Sequence, residues 1–141
     1  MIKNIKFVGP VDSPLEIFGI ITNENILKLS WIINQLLNIR LSQSSGLSNN
    51  NTKVNQTIEF SLFQFEDENT RLKYSLFENR TKMHYYFNEL RNIDHLFFIL
   101  GNMDIKTRDS ILQTLKKSSQ ITSILSISPD KLKPKKNIEH F

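Results

Sequence analysis

Residues 16–42, EIFGIITNENILKLSWIINQLLNIRLS, decide the fold because they are typical of a strand, a turn, a helix and the start of a second strand. The run Glu16–Ile21 is short, apolar and bounded by turn-forming residues, which indicates a buried strand. Gly19 inside it indicates a close approach to another element, and we expect this element to be the following helix. Thr22 and Asn23 favour the N-cap position, so the helix is predicted to begin directly after them.

The predicted helix runs to about Asn38 and carries apolar side chains on two separate arcs. The broad arc has the spacing of a helix that packs on a sheet, and it consists of Ile26, Leu29, Ile32, Ile33, Leu36 and Leu37. Leu27 and Trp31 lie four residues apart on another flank, where side chains at that spacing contact each other. Because large apolar surfaces in water are uncommon, we expect this flank to be covered by a loop or by a partner. The partner would be another protein or a second copy of this chain.

The remaining apolar runs predict an α+β fold. Two alternating runs, Thr57–Glu66 and Arg71–Phe77, are joined by an acidic turn and indicate a hairpin. The run His95–Leu100 (HLFFIL) is typical of a central strand buried on both faces. A second helix is expected over about Ile105–Lys117, capped by Asn102 or Asp104, followed by a last strand over Ile121–Ser128. We therefore expect a two-layer sandwich, in which a mostly antiparallel sheet of about five to six strands carries two helices on one face.

Length and composition indicate one domain. A chain of 141 residues and 16.5 kDa is long enough to bury a core without disulfides or metals. Residues 1–15 are predicted to be an irregular lead-in, residues 16–128 the single α+β domain, and residues 129–141 a basic tail. Within the domain, the Ser- and Asn-rich stretch over about 43–56 lacks periodicity and is predicted to be a loop insertion.

The sequence lacks the residues that several kinds of functional site require. The chain has no cysteine, which excludes disulfides and thiolate metal sites. His84, His95 and His140 are not paired at metal-ligand spacing, so no metal is predicted, and His95 is expected to be a structural histidine with a hydrogen-bonded ring. No glycine-rich phosphate loop and no nucleophile elbow is present, so neither a cofactor nor a catalytic residue is predicted. No apolar run reaches the length of a membrane span or of a signal-peptide core, and we expect a cytoplasmic protein with no membrane partner.

The net charge of +4 and the pI near 9.4 allow two interpretations. Ile, Asn, Lys and Phe are abundant and alanine is absent, as an AT-rich genome favours, and lysines of that origin require no polyanionic partner. The alternative is an RNA-binding sheet, in which aromatic rings stack on bases and lysines contact phosphates. Its contacts would be Phe63, Phe65, Lys73, Lys131, Lys133, Lys135 and Lys136.

Three segments carry a resemblance to a known family. They are LSWIINQLLNIRLSQS (29–44), FSLFQFEDENTRLKYSLFENR (60–80) and YFNELRNIDHLFFIL (86–100). Together they resemble the IPExxVD family, a bacterial family of small proteins with no established activity. The resemblance implies one domain over about residues 16–133, and it implies no catalytic residue.

The motif that gives this family its name falls on residues 87–89 and on Ile93 and Asp94. Glu89 and Asp94 are identical to it, whereas Phe87, Asn88 and Ile93 replace its Ile, Pro and Val. We expect structural roles for the two acidic residues. Glu89 is predicted to cap or to form an ion pair, and Asp94 to accept backbone N–H groups in a turn.

Two functions follow from the sequence. The favoured one is a non-enzymatic protein–protein interaction or assembly module with Leu27 and Trp31 in its interface, because aromatic residues are enriched at interfaces. The alternative is an RNA-associated accessory protein that uses the sheet aromatics and lysines named above.

Overall fold

A six-stranded antiparallel sheet and two helices that contact each other and the sheet make up the fold, which confirms the predicted α+β class. The structure is a computed structural model that describes residues 14–45, 47–51, 56–81 and 84–129. In chain order its elements are β1 (Leu15–Ile21), α1 (Ile26–Leu37), β2 (Ser42–Gln43), β3 (Leu47–Asn51), β4 (Gln56–Phe60), β5 (Leu62–Asp67), β6 (Leu72–Glu78), β7 (Arg80–Thr81), β8 (His84–Tyr85), a 3₁₀ helix (Asn88–Leu90), β9 (His95–Leu100), α2 (Ile105–Lys116) and β10 (Ser123–Ile127). The strand order across the sheet is β10-β1-β9-β6-β5-β2.

Helix α1 begins later than the sequence suggested. Its N-cap is Asn25, whose side-chain oxygen accepts the backbone N–H three residues on at 2.9 Å. The prediction that Thr22 or Asn23 caps the helix is wrong, because the Thr22 hydroxyl donates to the carbonyl of Gln120 at 2.6 Å and belongs to the preceding turn. The helix ends as predicted at Asn38, which adopts the left-handed conformation (φ 54°) that asparagine tolerates well.

The larger core lies between the two helices and the sheet. Helix α1 buries the predicted arc, with Ile26, Leu29, Ile32 and Ile33 inside and Leu36 and Leu37 partly buried. Helix α2 is capped by Asp104 and buries Ile111 and Leu115 in the same core, as its spacing predicts. Arg108 fixes α2 over the sheet, because its guanidinium donates to Glu16 on β1 at 2.6 Å and to Ser126 on β10 at 2.7 Å.

The second face of the sheet is covered by residues 84–93, which we call the cover segment. Tyr86, Phe87, Leu90 and Ile93 pack there against residues of the sheet such as Ile17, Leu62, Phe77, Leu96 and Phe98. Phe77 makes edge-to-face contacts with the rings of Phe87 at 5.9 Å and Phe98 at 5.4 Å. Burial raises the pKa of the Tyr86 hydroxyl to about 12. The described residues therefore form two cores, one on each face of the sheet.

Gly19 faces this second core and not the helices. A Cβ atom added to it would lie 2.7 Å from Ile127 Cδ1 and 3.1 Å from Ile93 Cδ1. The expected close approach is present, but the expected partner is wrong. In β1, Phe18 and Ile20 point toward α1, and alternation along a strand places Gly19 on the opposite face.

The stretch predicted as a loop over 43–56 is partly a hairpin. Strand β3 pairs antiparallel with β4, from Leu47 opposite Phe60 to Asn51 opposite Gln56. The loop prediction is wrong for β3, because a ladder of backbone hydrogen bonds does not require alternating apolar side chains. The predicted strand Thr57–Glu66 is also divided, since Ser61 separates β4 from β5. Residues 1–13 of the predicted lead-in, and residues 130–141 of the predicted tail, lie outside the described residues.

Asn79 connects the cover segment to the sheet. Its side-chain amide donates to the carbonyls of Leu90 at 2.9 Å and Ile93 at 3.0 Å, and its side-chain oxygen accepts the N–H of Phe87 at 2.8 Å. The residue is fully buried. One side chain thus satisfies three backbone groups of the cover segment, each of which would be costly to bury without a partner.

We expect Asn79→Ala to lower the free energy of unfolding by about 3 kcal/mol, because three buried hydrogen bonds to the backbone of the cover segment are lost. Urea denaturation followed by circular dichroism measures this loss. Asn92→Ala is the matched control, since Asn92 is an exposed asparagine of the same segment, and its effect should stay within about 0.5 kcal/mol. A loss below about 1 kcal/mol for Asn79→Ala would contradict the role assigned to this side chain.

Candidate functional site

The exposed flank of α1 is the first candidate site. Leu27 is 66% exposed and Trp31 is 55% exposed, so no loop of the described chain covers them. The ammonium group of Lys28 lies 5.0 Å from the centroid of the Trp31 ring, which is the geometry of a cation–π contact. We call Leu27, Lys28 and Trp31 the α1 surface.

This surface differs from the other exposed apolar residues of the described chain. Ile105 on α2 and Leu125 on β10 are also exposed, but each belongs to a different element. Leu27 and Trp31 lie one helical turn apart on one rigid helix, so their side chains point the same way. Gln35 and Asn38 continue the flank as exposed polar residues. The result is a small apolar patch with a polar border.

The turn before α1 is held by the start of β9. The backbone N–H of Thr22 donates to Asp94 Oδ2 at 3.2 Å, and the ring of His95 is bonded through Nε2 to the carbonyl of Glu24 at 3.2 Å. The Thr22 hydroxyl also accepts the N–H of Glu24 at 3.1 Å. Asp94 therefore accepts a backbone N–H in a turn, as expected, and His95 has the expected hydrogen-bonded ring.

The two residues at family-motif positions lie in different surroundings. Asp94 precedes β9 and faces the Arg80 guanidinium at 3.6 Å, and its carbonyl accepts the N–H of Asn79 at 2.9 Å. Glu89 lies exposed within the 3₁₀ helix of the cover segment. Asp94 is thus part of the connection between the cover segment and the turn before α1.

The aromatic residues proposed for RNA stacking lie on the helix side of the sheet. Phe63 is 5% exposed and belongs to the core under the helices, so it has no free ring face for a base. Phe65 is partly buried against the same core, and its ring stacks on Tyr74 at 6.1 Å. Sequence alternation alone did not show that both faces of the hairpin are covered. Residues 131–136, which include the tail lysines Lys131, Lys133, Lys135 and Lys136, lie outside the described residues.

Lys73 lies apart from these aromatics, in a cleft at one end of the sheet. The cleft has a volume of about 510 Å³ and lies between the β5–β6 turn and the connection from β9 to α2. Its lining consists of Pro14, Glu66, Asp67, Glu68, Arg71, Lys73, Leu100, Gly101 and Asn102. Three of the lining side chains are acidic and two are basic, so the cleft does not select a ligand of one charge. In the part of the chain that the structure describes, no three His, Cys, Asp or Glu side chains are grouped to hold a metal ion.

The hydrogen bonds of the Asn79 side chain and the contacts of Thr22 were not predicted from the sequence. The signal for Asn79 is an amide at the end of an apolar strand, followed by a turn, which is too common a pattern to identify a buried hydrogen-bonding residue. Thr22 was predicted to cap α1 from its local position alone. Its hydrogen-bond partner, Gln120, is distant in the sequence and leaves no local pattern.

Comparison with known proteins gives no family for the chain. No protein-family model matches it, and no curated protein matches its sequence. The resemblance to the IPExxVD family stays a prediction. Within the described residues, every helix is too short or too polar to cross a membrane.

Proposed function

We propose that this protein is a small, non-enzymatic protein–protein interaction or assembly module of the cytoplasm that binds its partner through the α1 surface. The observation that supports the proposal is the exposure of Leu27 and Trp31, at 66% and 55%, on one side of a well-packed helix. Tryptophan is enriched among the residues that contribute most to binding. A rigid helix also presents both side chains with little loss of backbone entropy on binding.

We expect the α1 surface to form the centre of a larger interface. Its two apolar side chains expose on the order of 250 Å², whereas a standard interface takes about 800 Å² from each partner. The remaining contact area would come from polar neighbours such as Gln35 and Asn38, which are exposed on the same flank. An apolar centre with a polar rim is the usual composition of an interface.

We expect Trp31→Ala to weaken the association of the protein with its partner by about tenfold or more, because truncation of a central aromatic residue typically costs about 2 kcal/mol. Affinity capture from cell lysate, with nuclease added, measures the loss as depletion of specific bands. If the partner is a second copy of this chain, sedimentation velocity at millimolar protein concentration measures whether Trp31→Ala weakens the self-association. Stability should change little, since the side chain is largely exposed.

Ile105→Ala is the matched control, because Ile105 is an exposed apolar residue on the other helix. It should retain every partner that the unsubstituted protein captures. If the protein stays monomeric and Trp31→Ala captures the same proteins as the control, the proposal is wrong.

The RNA-associated alternative has weaker support, because the stacking residues Phe63 and Phe65 pack on the helix-side core. We expect any binding to single-stranded RNA to be electrostatic, so that affinity falls steeply as salt rises. Fluorescence anisotropy with a labelled oligouridine measures this dependence. Phe65→Ala should leave the affinity unchanged, whereas a stacking role would cost about 1–3 kcal/mol. A loss of that size in a variant that remains folded would favour RNA binding over our proposal.

A further inference from the structure

The turn that leads into α1 is held from two sides. Asp94 accepts the N–H of Thr22 at 3.2 Å, and His95 Nε2 lies 3.2 Å from the carbonyl of Glu24. Both anchoring side chains come from adjacent residues at the start of β9. We call this pair, Asp94 and His95, the clamp.

The clamp contacts the residues that directly precede the N-cap of α1. Asn25, the N-cap, directly follows Glu24, and its side chain and carbonyl accept the N–H groups of Lys28 and Leu29, each at 2.9 Å. Leu27 lies two residues beyond this cap. A shift of the turn therefore disturbs the first helical turn, which carries Leu27 and Lys28 of the α1 surface.

The ring of His95 is held in its neutral form by its surroundings. It is 5% exposed, and its Nδ1 atom finds no hydrogen-bond partner among the described residues. Because Nε2 faces a carbonyl, it carries the proton of the neutral ring, and a second proton would have to enter at Nδ1. A buried N–H without an acceptor is costly. The charged ring is therefore disfavoured while the clamp is closed.

The groups that face His95 come from three elements. In the strand pairing, Ile20 on β1 and Glu78 on β6 lie opposite His95, and the turn before α1 contributes Glu24. Burial lowers the pKa of His95 below the ordinary 6.5, although the hydrogen bond to Glu24 and the carboxylates of Glu78 and Asp94 act against this shift. Asp94 is itself paired with Arg80 at 3.6 Å.

We propose that Asp94 and His95 form a proton-sensitive clamp that holds the α1 surface in its binding position and releases it when His95 is protonated. The link to binding rests on the proposed function of the α1 surface. The clamp itself is measurable in the protein without any partner, so it can fail or succeed independently of that function.

The direction of the pH dependence follows from the lowered pKa of His95. In the open state the clamp is released, and His95 binds a proton below about pH 6.5. In the clamped state it does not, so the clamped state loses stability relative to the open state as pH falls through this range. The loss ends once pH falls below the lowered pKa of the clamped ring. Well above 6.5 the ring is neutral in both states, and His95 then contributes no pH dependence.

The test is amide hydrogen exchange by NMR between about pH 7.5 and about pH 5, expressed as protection factors. We expect the protection of the Lys28 and Leu29 N–H groups to fall by up to about tenfold per pH unit below 6.5, the slope for one proton. Fluorescence of Trp31, which is the only tryptophan of the chain, should change over the same range. Amides in the middle of β9 should keep their protection.

Two variants separate the clamp from other histidines. His95→Gln removes the titrating group but keeps a side-chain N–H for the Glu24 carbonyl, so the response of Lys28 and Leu29 should disappear. His84→Gln combined with His140→Gln should retain the response. The proposal is overturned if the double variant loses it, or if β9 and α1 lose protection together, which would indicate global unfolding.

If His95→Gln does not fold, the unsubstituted protein still decides the question through the ring signals of its histidines. The His95 signal must titrate with a midpoint below 6.5, and the loss of Lys28 and Leu29 protection must lie between 6.5 and that midpoint. A His95 ring that titrates at the ordinary value of 6.5, or a loss of protection outside that range, would overturn the clamp.

Discussion

Strand β9 is the element on which the rest of the structure depends, because all six of its residues are buried. Phe97 and Ile99 point into the core under the helices, and Leu96 and Phe98 point into the core under the cover segment. Burial of each such side chain stabilises the fold by about 1.5–3 kcal/mol, but only if both faces of the sheet are shielded from water. The cover segment is therefore as necessary to this strand as the helices are.

This constraint explains why polar residues cluster at the end of β9 that leads in from the cover segment. The chain must pass from an irregular segment into a fully buried strand, and every backbone group along that path needs a partner. Asn79 supplies partners within the cover segment, and Asp94 supplies one to the neighbouring turn before α1. The identity of Asp94 with the motif of the resembled family is thus compatible with a structural requirement alone. The function of the protein is better sought on the surface that this framework supports.

The parts of the fold that follow one periodic pattern could be predicted from the sequence. The buried arc of α1, the Asp104 cap of α2 and the continuous run of β9 depend on local spacing, and the structure has all three. The packing of the cover segment could not be predicted, because it depends on distant strands. Phe63 was assigned to an RNA-binding face for the same reason, because the sequence did not show that both faces of the sheet are covered.

The residues of the candidate site could be predicted from the sequence, but the contacts that position them could not. The spacing of Leu27 and Trp31 separated them from the core arc, and their exposure agrees with that separation. Two hydrogen bonds, Thr22–Asp94 and Glu24–His95, connect the turn before α1 to the start of β9. Each joins residues about seventy positions apart in the sequence. Such contacts leave no local pattern in a single sequence.

The lengths of the strands have a consequence for the solubility of the folded chain. The two outermost strands of the main sheet are its shortest, with two residues in β2 and five in β10, whereas the four inner strands have six or seven. An exposed edge is where a sheet recruits strands from other molecules, and a short edge offers few backbone groups for that pairing. The long apolar strands β1, β6 and β9, which would be prone to form fibrils, are thus paired on both sides within the sheet.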